Sequence, residues 1–341
     1  MLSEALSNRE RVVLESLVRA YVDNGTPVGS STLTKRESFE FSPATVRKTL
    51  ACLEEKGYVS QPHTSAGRQP TDKGYRFYVE HTVRDVVMLS QEAGESVRRK
   101  LELFQQEGRV DEIHGQLAEI VGGVSHQLGI VLAPTFESGV VEHLDLVRLT
   151  ETRLLMVATI KQGPVKSLVL EVSSRVSRAE IEAVRRLLNE RLAGLDLDQI
   201  QTTARERVQS LSVGNPQLLR VVVDELESLS GNSGDGLHVA GTRNIFIQPE
   251  FRDSLEVAGL MDLVERKDPL ADLLSGREGV VVTIGEENEA NEMHCCSMVT
   301  ASYEANGARG IIGVIGPTRM PYERLLALVD YTASRAAELV S

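Results

Sequence analysis

The order in which hydrophobic periodicity changes along the chain limits its fold more than any other feature. Apolar residues have helical spacing up to about residue 57, form strand-like runs from about 129 to 172, return to helical spacing at about 177–230, and form strands again after 279. This order predicts an α+β multidomain protein in which one sheet is interrupted by a mainly helical insertion. Two consecutive α+β domains remain the alternative.

Short gaps between the strand-like runs predict antiparallel hairpins. Residues 150–152 and 161–164 are turn-sized gaps between apolar runs. A helical pattern at about 86–106 precedes the first of these runs. We therefore predict a linker helix at 81–108, a sheet domain at 109–175 and 270–341, and an inserted domain at 176–269.

The first eighty residues contain three helix starts. Ser7 and Glu10 have the spacing of a capping box, and a Gly at position 25 ends the apolar pattern that follows. Ser30 can cap a second, shorter helix. A third helix is predicted from Ser42, because Ser is a good N-cap and the Pro that follows it suits the first helical position.

The third helix has two different faces. Its apolar face carries Val46, Leu50 and Leu53. Lys48 lies opposite, between two alanines, and Thr45 and Arg47 lie on its two flanks. Small and basic side chains on an exposed helix face are what a helix needs to enter a major groove. We therefore predict that Thr45, Arg47 and Lys48 contact DNA.

A polar, glycine-containing loop follows a short strand at 58–60. Two prolines bracket it, and Gly67 permits a tight turn. Three helices followed by a hairpin with a basic tip predict a winged helix-turn-helix over residues 1–80. The predicted DNA contacts in the hairpin are His63, Thr64, Ser65 and Arg68. The aromatic segment after it, 75–79, is predicted to be core packing, and a surface hairpin without a partner is the alternative for the loop.

Charge is unevenly distributed along the chain. The net charge is −12, but residues 1–80 have 11 Lys and Arg against 10 Asp and Glu, which leaves −13 for the remainder. An acidic body with one locally basic part can bind nucleic acid through that part. An ordinary solvated surface explains the charge alone equally well.

Several classes of protein are disfavoured by missing motifs. The sequence has no apolar run of about 18 residues, no signal-peptide pattern, and neither a CxxC pair nor a GxSxG motif. Three cysteines cannot form a disulfide framework. We therefore predict a cytoplasmic protein that is not an enzyme, is not associated with a membrane, and has no metal site and no cofactor.

Four C-terminal features have both a functional and a structural interpretation, and we predict the structural one for each. The glycines at 310, 313 and 316 lie within an apolar strand and are predicted to permit close packing. Cys295 and Cys296 are predicted to point to opposite faces of a strand. The glutamates of 286–292 are predicted to form a mobile hairpin turn, and Arg319 to cap a corner between sheet and helix rather than face a ligand or the DNA-binding domain.

One run of residues resembles a known family. The segment SPATVRKTLACLEEKGYVSQPHTSAGRQPTDKGYRFYV, together with IGEEN at 284–288 and GIIGVIGPTRMPYER at 310–324, resembles the heat-inducible transcription repressors (HrcA). The family usually has an Asn where this chain has Lys48. Because a Lys cannot make the bidentate adenine contact of an Asn, the base preference at that position is left open.

The resemblance implies a function and an architecture. It implies a homodimeric repressor of chaperone operons that binds an inverted-repeat (CIRCE-type) operator on double-stranded DNA and is kept active by a GroEL-type chaperonin. The sheet domain would be GAF-like, and the insertion at 176–269 would form the dimer. The alternative function is a GAF-like ligand-sensing protein whose winged helix mediates protein interaction.

Overall fold

A computed structural model of the 341-residue chain describes most of its length. The described residues are 6–36, 41–63, 66–83, 91–106, 113–135, 140–161, 165–172, 176–209, 215–228, 236–252, 254–305 and 308–340.

The N-terminal unit is three helices, a small hairpin and a fourth helix. The elements are α1 (Asn8–Asn24), α2 (Ser30–Arg36), α3 (Pro43–Glu55), β1 (Val59–Ser60), β2 (Gln69–Pro70) and α4 (Asp72–Tyr78). The predicted caps at Ser7 and Ser42 are confirmed, since Ser7 and Glu10 make the reciprocal bonds of a capping box and the Ser42 hydroxyl accepts the Thr45 amide. Ser30 does not precede α2 as predicted but is its first residue. The two short strands pair antiparallel.

The body of the protein is a five-stranded antiparallel sheet with helices on both faces. Its strands are β3 (Leu128–Thr135), β7 (Leu237–Ala240), β8 (Val280–Ile284), β9 (Cys296–Ala305) and β10 (Ala308–Pro317), in the order β7-β3-β10-β9-β8. One face packs on α5 (Gln91–Gln106), α6 (Ile113–Ser125) and α13 (Tyr322–Val340). The other packs on α10 (Thr242–Phe246), α11 (Ser254–Glu265) and α12 (Lys267–Leu274).

A second sheet forms a separate unit. It consists of β4 (Val141–Arg148), β5 (Arg153–Ile160) and β6 (Val165–Glu171), and among the described residues none of these strands pairs with the five-stranded sheet. Its buried face shares one apolar core with α7 (Arg178–Leu192), α8 (Leu197–Gln209) and α9 (Pro216–Ser228). We call residues 140–228 the inserted unit.

The predicted sheet membership is therefore wrong in two places. Residues 140–172, which the sequence predicts in the sheet domain, belong to the inserted unit. Residues 237–269, which it predicts in the insertion, pack on the main sheet. The change from strand to helix period near 177 marks a change of secondary structure inside one unit. It does not mark the point where the chain leaves the main sheet, because strand pairing depends on contacts between distant residues.

The predicted linker helix is packed against the body. Its described part is Gln91–Gln106, and residues 84–90 lie outside the described part. Ala93, Val97 and Leu101 are buried in the core that α6 and α13 share. Their spacing of four residues places them on one face of the helix.

The N-terminal unit and the main sheet share one apolar core. Buried residues of α1, α3 and α4 belong to the same cluster as buried residues of α13 and the inner face of β9 and β10. The predicted close packing of the strand glycines is also confirmed, since a Cβ on Gly310 would lie 2.4 Å from the Tyr303 ring and one on Gly313 would lie 2.7 Å from Thr300.

Glu10 links the start of α1 to the end of α3. Its carboxylate caps α1 through Ser7 and accepts a hydrogen bond of 2.8 Å from Lys56 at the end of α3. The bond from Lys56, with that from the Ser7 amide, lowers the pKa of Glu10 from 4.5 to about 2. Because the folded pKa is depressed, this stabilisation is fully present above about pH 4.5 and is lost as pH falls towards 2.

We expect Glu10→Gln to lower the free energy of unfolding by about 2 kcal/mol at pH 7, the usual size for hydrogen bonds to a charged group. The difference from wild type should shrink below pH 4.5, because the wild-type carboxyl then becomes neutral as well. Urea unfolding followed at several pH values measures both. Glu15→Gln is the matched control, since Glu15 on the same helix forms a longer ion pair, of 3.7 Å, with Arg11. A pH-independent difference would contradict the assignment.

Candidate nucleic-acid interface

Helix α3 presents a basic surface because its apolar side chains are buried. Val46 and Leu53 are fully buried, as their spacing predicts. Arg47 and Lys48 are exposed on the opposite side, and Thr45 is partly exposed. Two adjacent cations near the start of an exposed helix can reach phosphate and base edges together.

The start of α3 is fixed by hydroxyl groups. Ser42 accepts the amide of Thr45 at 3.2 Å, and the two hydroxyls are 3.0 Å apart. Thr49, which the sequence analysis did not single out, is buried and donates to the Thr45 carbonyl at 3.0 Å. Thr45 therefore helps to hold the start of the helix and is also partly exposed to solvent.

The hairpin loop, residues 61–68, is attached to the segment between α1 and α2. Val28 and Arg68 exchange backbone hydrogen bonds of 2.8 and 2.9 Å. A Cβ on Gly67 would lie 2.4 Å from the Val28 carbonyl carbon, so the close approach requires glycine. His63 is exposed in this loop, whereas Thr64 and Ser65 lie outside the described residues.

Arg68 is less available than the sequence predicts. Its guanidinium lies 2.7 Å from the Glu54 carboxylate of α3, and its side chain is only 20% exposed. The pair forms because Glu54, one helical turn beyond Leu50, extends towards the hairpin, and the predicted DNA contact of Arg68 stays a prediction. Sequence spacing does not reveal this pair, since the two residues come from different elements.

A depression lies between α2, α3 and the hairpin loop. It is lined by Gly29, Ser30, Ser31, Arg47, Gln61 and Arg68. Hydroxyl and guanidinium donors around one concave surface are suited to bind an anionic oxygen such as that of a phosphate. From the sequence Ser30 is predicted only as a helix cap, and its place in this depression is seen in the structure alone.

Helix α4 attaches the N-terminal unit to the main sheet. Tyr75 and Tyr78 are buried, which confirms the predicted packing role of the aromatic segment. Arg76 forms an ion pair with Glu287 and donates to the Val282 carbonyl at 2.8 Å. Tyr78 donates to Glu323 at 2.7 Å. The segment therefore packs on the C-terminal body as well as supporting the hairpin.

Arg319 also joins these two parts of the molecule. It donates to the Val22 carbonyl of α1 at 2.9 Å and forms an ion pair with Glu250. The expectation that Arg319 merely caps a corner of the sheet is wrong, because its side chain reaches the N-terminal unit. The hydrogen bond to Glu250 raises the pKa of Arg319, so its charge is maintained.

The loop that follows β8 is built around Asn288, which is buried. The Asn288 amide nitrogen lies within 3.1 Å of three backbone carbonyls, those of Gly285, Met293 and Cys296. Its oxygen accepts from the Thr283 hydroxyl at 2.6 Å. The acidic loop therefore has a defined conformation that presents Glu287 to α4.

The two adjacent cysteines do not diverge as predicted. Their Sγ atoms are 3.6 Å apart. The alternation of strand faces does not apply, because Cys295 lies in a turn and only Cys296 begins β9. Among the described residues, no group of three or more His, Cys, Asp or Glu side chains is arranged to hold a metal ion.

Among the described residues, no helix combines the length and the apolar character that a bilayer crossing requires.

An exposed basic helix on a small helical unit, carried by an acidic body, is the arrangement of a transcription regulator. The family profile "HrcA protein C terminal domain" matches residues 111–326. The chain is 37% identical to the heat-inducible transcription repressor HrcA of Natranaerobius thermophilus, over 97% of this chain and 96% of that protein. It is 36% identical to the repressor of the same name from Chlorobium phaeobacteroides, over the whole of both chains.

The chain belongs to the heat-inducible transcription repressor family, HrcA. It is accordingly a negative regulator of transcription and not an enzyme. A crystal structure described only as that of a hypothetical protein has the same fold, with a TM-score of 0.60 at 23% identity over 98% of this chain and 99% of that one.

Proposed function

We propose that the chain is a cytoplasmic, homodimeric repressor of chaperone genes that binds a CIRCE-type inverted repeat through its N-terminal unit. In this proposal residues 8–79 act as a winged helix-turn-helix, with α3 in the major groove and the hairpin loop beside it. The observation that carries it is the outward-facing pair Arg47 and Lys48 on a helix whose other face is buried. Thr45, His63, Thr64, Ser65 and Arg68 are proposed as further contacts.

A gel-shift titration with matched DNA probes tests this proposal. Two-fold symmetry of the dimer should match the two-fold symmetry of an inverted repeat, so the full repeat should bind far more tightly than a single half-site. The bound species should contain two chains. Equal affinity for the repeat, the half-site and an unrelated duplex would overturn the proposal.

The ion pair between Arg68 and Glu54 gives a second prediction. We expect Glu54→Gln to raise operator affinity on the order of fivefold at low salt, because it removes a negative charge and releases Arg68 towards phosphate. Fluorescence anisotropy with a labelled operator measures the change. Glu55→Gln removes the same charge from an exposed position one residue further on, and it should have a smaller effect. If Glu54→Gln bound no better than Glu55→Gln, Arg68 would not be a DNA contact.

The outer face of the three-stranded sheet is the proposed dimer surface. Val147, Leu155 and Val169 are cross-strand neighbours on this face, and Val147 and Val169 are each about half exposed, at 49% and 51%. Val165, at 61% exposed, extends the patch. Contiguous exposed apolar side chains mark interaction surfaces, and the family resemblance assigns dimerisation to the insertion. We therefore propose that a second copy of this chain covers the face and that residues 140–228 form the dimerising domain.

The five-stranded unit is proposed to be GAF-like.

We expect Val169→Asp to convert the dimer into monomers, because a buried unpaired carboxylate at an interface costs several kcal/mol. Size-exclusion chromatography with light scattering measures the mass. Ile247→Asp is the matched control, since Ile247 is 65% exposed on the main body and lies outside the proposed surface. A Val169→Asp protein that stays dimeric would show that the dimer uses another face.

The family resemblance also supports a link to heat and to a GroEL-type chaperonin. We propose that the contacts of α4 with the main sheet are part of the active form that the chaperonin maintains. Besides the shared apolar core, these contacts include ion pairs at partly exposed side chains, such as that of Arg76 with Glu287. Exposed ion pairs contribute little to stability, and we propose this attachment as the point of release on heating.

A further inference from the structure

Cys295 and Cys296 lie close in the fold to two of the polar contacts between the N-terminal unit and the body, those made by Arg76 and by Arg319. The Cys296 carbonyl accepts a hydrogen bond of 3.0 Å from Asn288, the residue after Glu287, which binds Arg76 of α4. Cys296 also pairs across the sheet with Pro317, two residues before Arg319, which binds the Val22 carbonyl. A backbone shift at Cys296 would therefore be transmitted through one or two residues to Glu287 and to Arg319, which make the two contacts.

The two thiols have the geometry to react with each other. Their Sγ atoms are 3.6 Å apart, and a disulfide requires about 2.05 Å. Cys295 is partly exposed and accessible to a small oxidant, whereas Cys296 is buried directly behind it. Adjacent Cα atoms are about 3.8 Å apart, closer than disulfide-bonded residues usually are. Closing the bond therefore requires the backbone of 295–296 to shift.

We propose that Cys295 and Cys296 form a peroxide-sensitive vicinal dithiol whose oxidation weakens DNA binding. Hydrogen peroxide oxidises the Cys295 thiol to a sulfenic acid and releases one water. The Cys296 sulfur then attacks the Cys295 sulfur, which forms the disulfide and releases the second water. Two thiols are thereby oxidised and one peroxide is reduced. A strained disulfide is readily reduced again, so a dithiol reductant should reverse the reaction.

The shift in the Cys296 carbonyl would remove a hydrogen-bond acceptor from Asn288 and loosen the loop that presents Glu287. Helix α4 would then lose part of its attachment to the body. The effect on DNA binding rests on the proposed function, whereas the chemistry of the cysteine pair does not. We expect oxidation to lower operator affinity about tenfold, within the usual range of coupling between distant sites.

The experiment treats the full-length protein with hydrogen peroxide and compares it with the reduced form. Mass spectrometry of the peptide that contains both cysteines should show the loss of two hydrogen atoms, reversed by dithiothreitol. Hydrogen exchange should become faster in α4. Operator affinity should fall about tenfold and recover on reduction. Cys295→Ser should abolish all three responses, whereas Cys52→Ser, which changes the third cysteine, should retain them.

Each outcome decides a separate point. An unchanged peptide mass would overturn the proposal that peroxide joins the two thiols in a disulfide. A disulfide with unchanged exchange in α4 and unchanged operator affinity would overturn its coupling to DNA binding. A reduced protein that does not bind the operator would instead overturn the proposed function. In that case the peptide mass would still show whether the disulfide forms, and hydrogen exchange would still show whether it affects α4.

Discussion

Replacing both Arg47 and Lys48 with alanine should lower operator affinity on the order of a hundredfold. A base-contacting Arg contributes roughly 1–3 kcal/mol to the binding free energy, and a phosphate-contacting Lys adds a contribution that depends on salt. Both side chains are exposed, so the folded structure should be unaffected. Anisotropy titrations with a labelled operator measure the loss, and the melting temperature should stay the same.

The matched control is the adjacent pair Arg98 and Arg99 on α5. Both are exposed, and their replacement removes the same charge far from α3 in the sequence. Operator affinity should change less than threefold, because the remaining effect is long-range and screened by salt. If the α3 and α5 variants lost affinity equally, the net charge of the protein would explain binding and α3 would have no special role.

Replacing Asn288 with alanine should cause the largest loss of stability among single substitutions in the loop after β8. The buried side-chain amide lies within hydrogen-bond distance of three backbone carbonyls, and a hydrogen bond removed from a buried polar group costs about 1–3 kcal/mol. We expect a loss of about 3 kcal/mol in the free energy of unfolding. Thermal unfolding followed by circular dichroism should show a melting temperature lower by roughly 6–12 °C.

Two further substitutions distinguish the hydrogen-bond donor from the shape of the side chain. Asn288→Asp keeps the size but loses the amide donor, so it should destabilise as much as alanine does. Thr283→Val removes only the hydroxyl that donates to the Asn288 oxygen, and it should cost about 1 kcal/mol. A stable Asn288→Asp protein would show that the three carbonyls do not depend on the amide group.

Local features of the fold could be predicted because they depend on residues close in sequence. The caps at Ser7 and Ser42 and the buried face of α3 follow from hydrogen bonds and periodicity within one helix. The exposure of Arg47 and Lys48 follows from the same periodicity. The candidate site was therefore predictable as far as it lies on a single element.

Features that depend on contacts between elements could not be predicted. Arg68 is paired with Glu54, and Arg319 reaches α1, because the tertiary fold brings these elements together. The membership of residues 140–172 in a separate unit was missed for the same reason, since periodicity identifies a strand but not its neighbour. The turn at Cys295 replaced an expected strand, and this small difference brings two thiols together.

The most direct measurement of the central claim compares the affinity of the wild-type protein for the inverted-repeat operator with its affinity for a duplex of the same composition with scrambled half-sites. Both titrations are made over a series of salt concentrations. Sequence-specific recognition by α3 predicts a preference of about a thousandfold or more at moderate salt, with affinity falling steeply as salt rises. Equal affinity for the two duplexes at every salt concentration would contradict it.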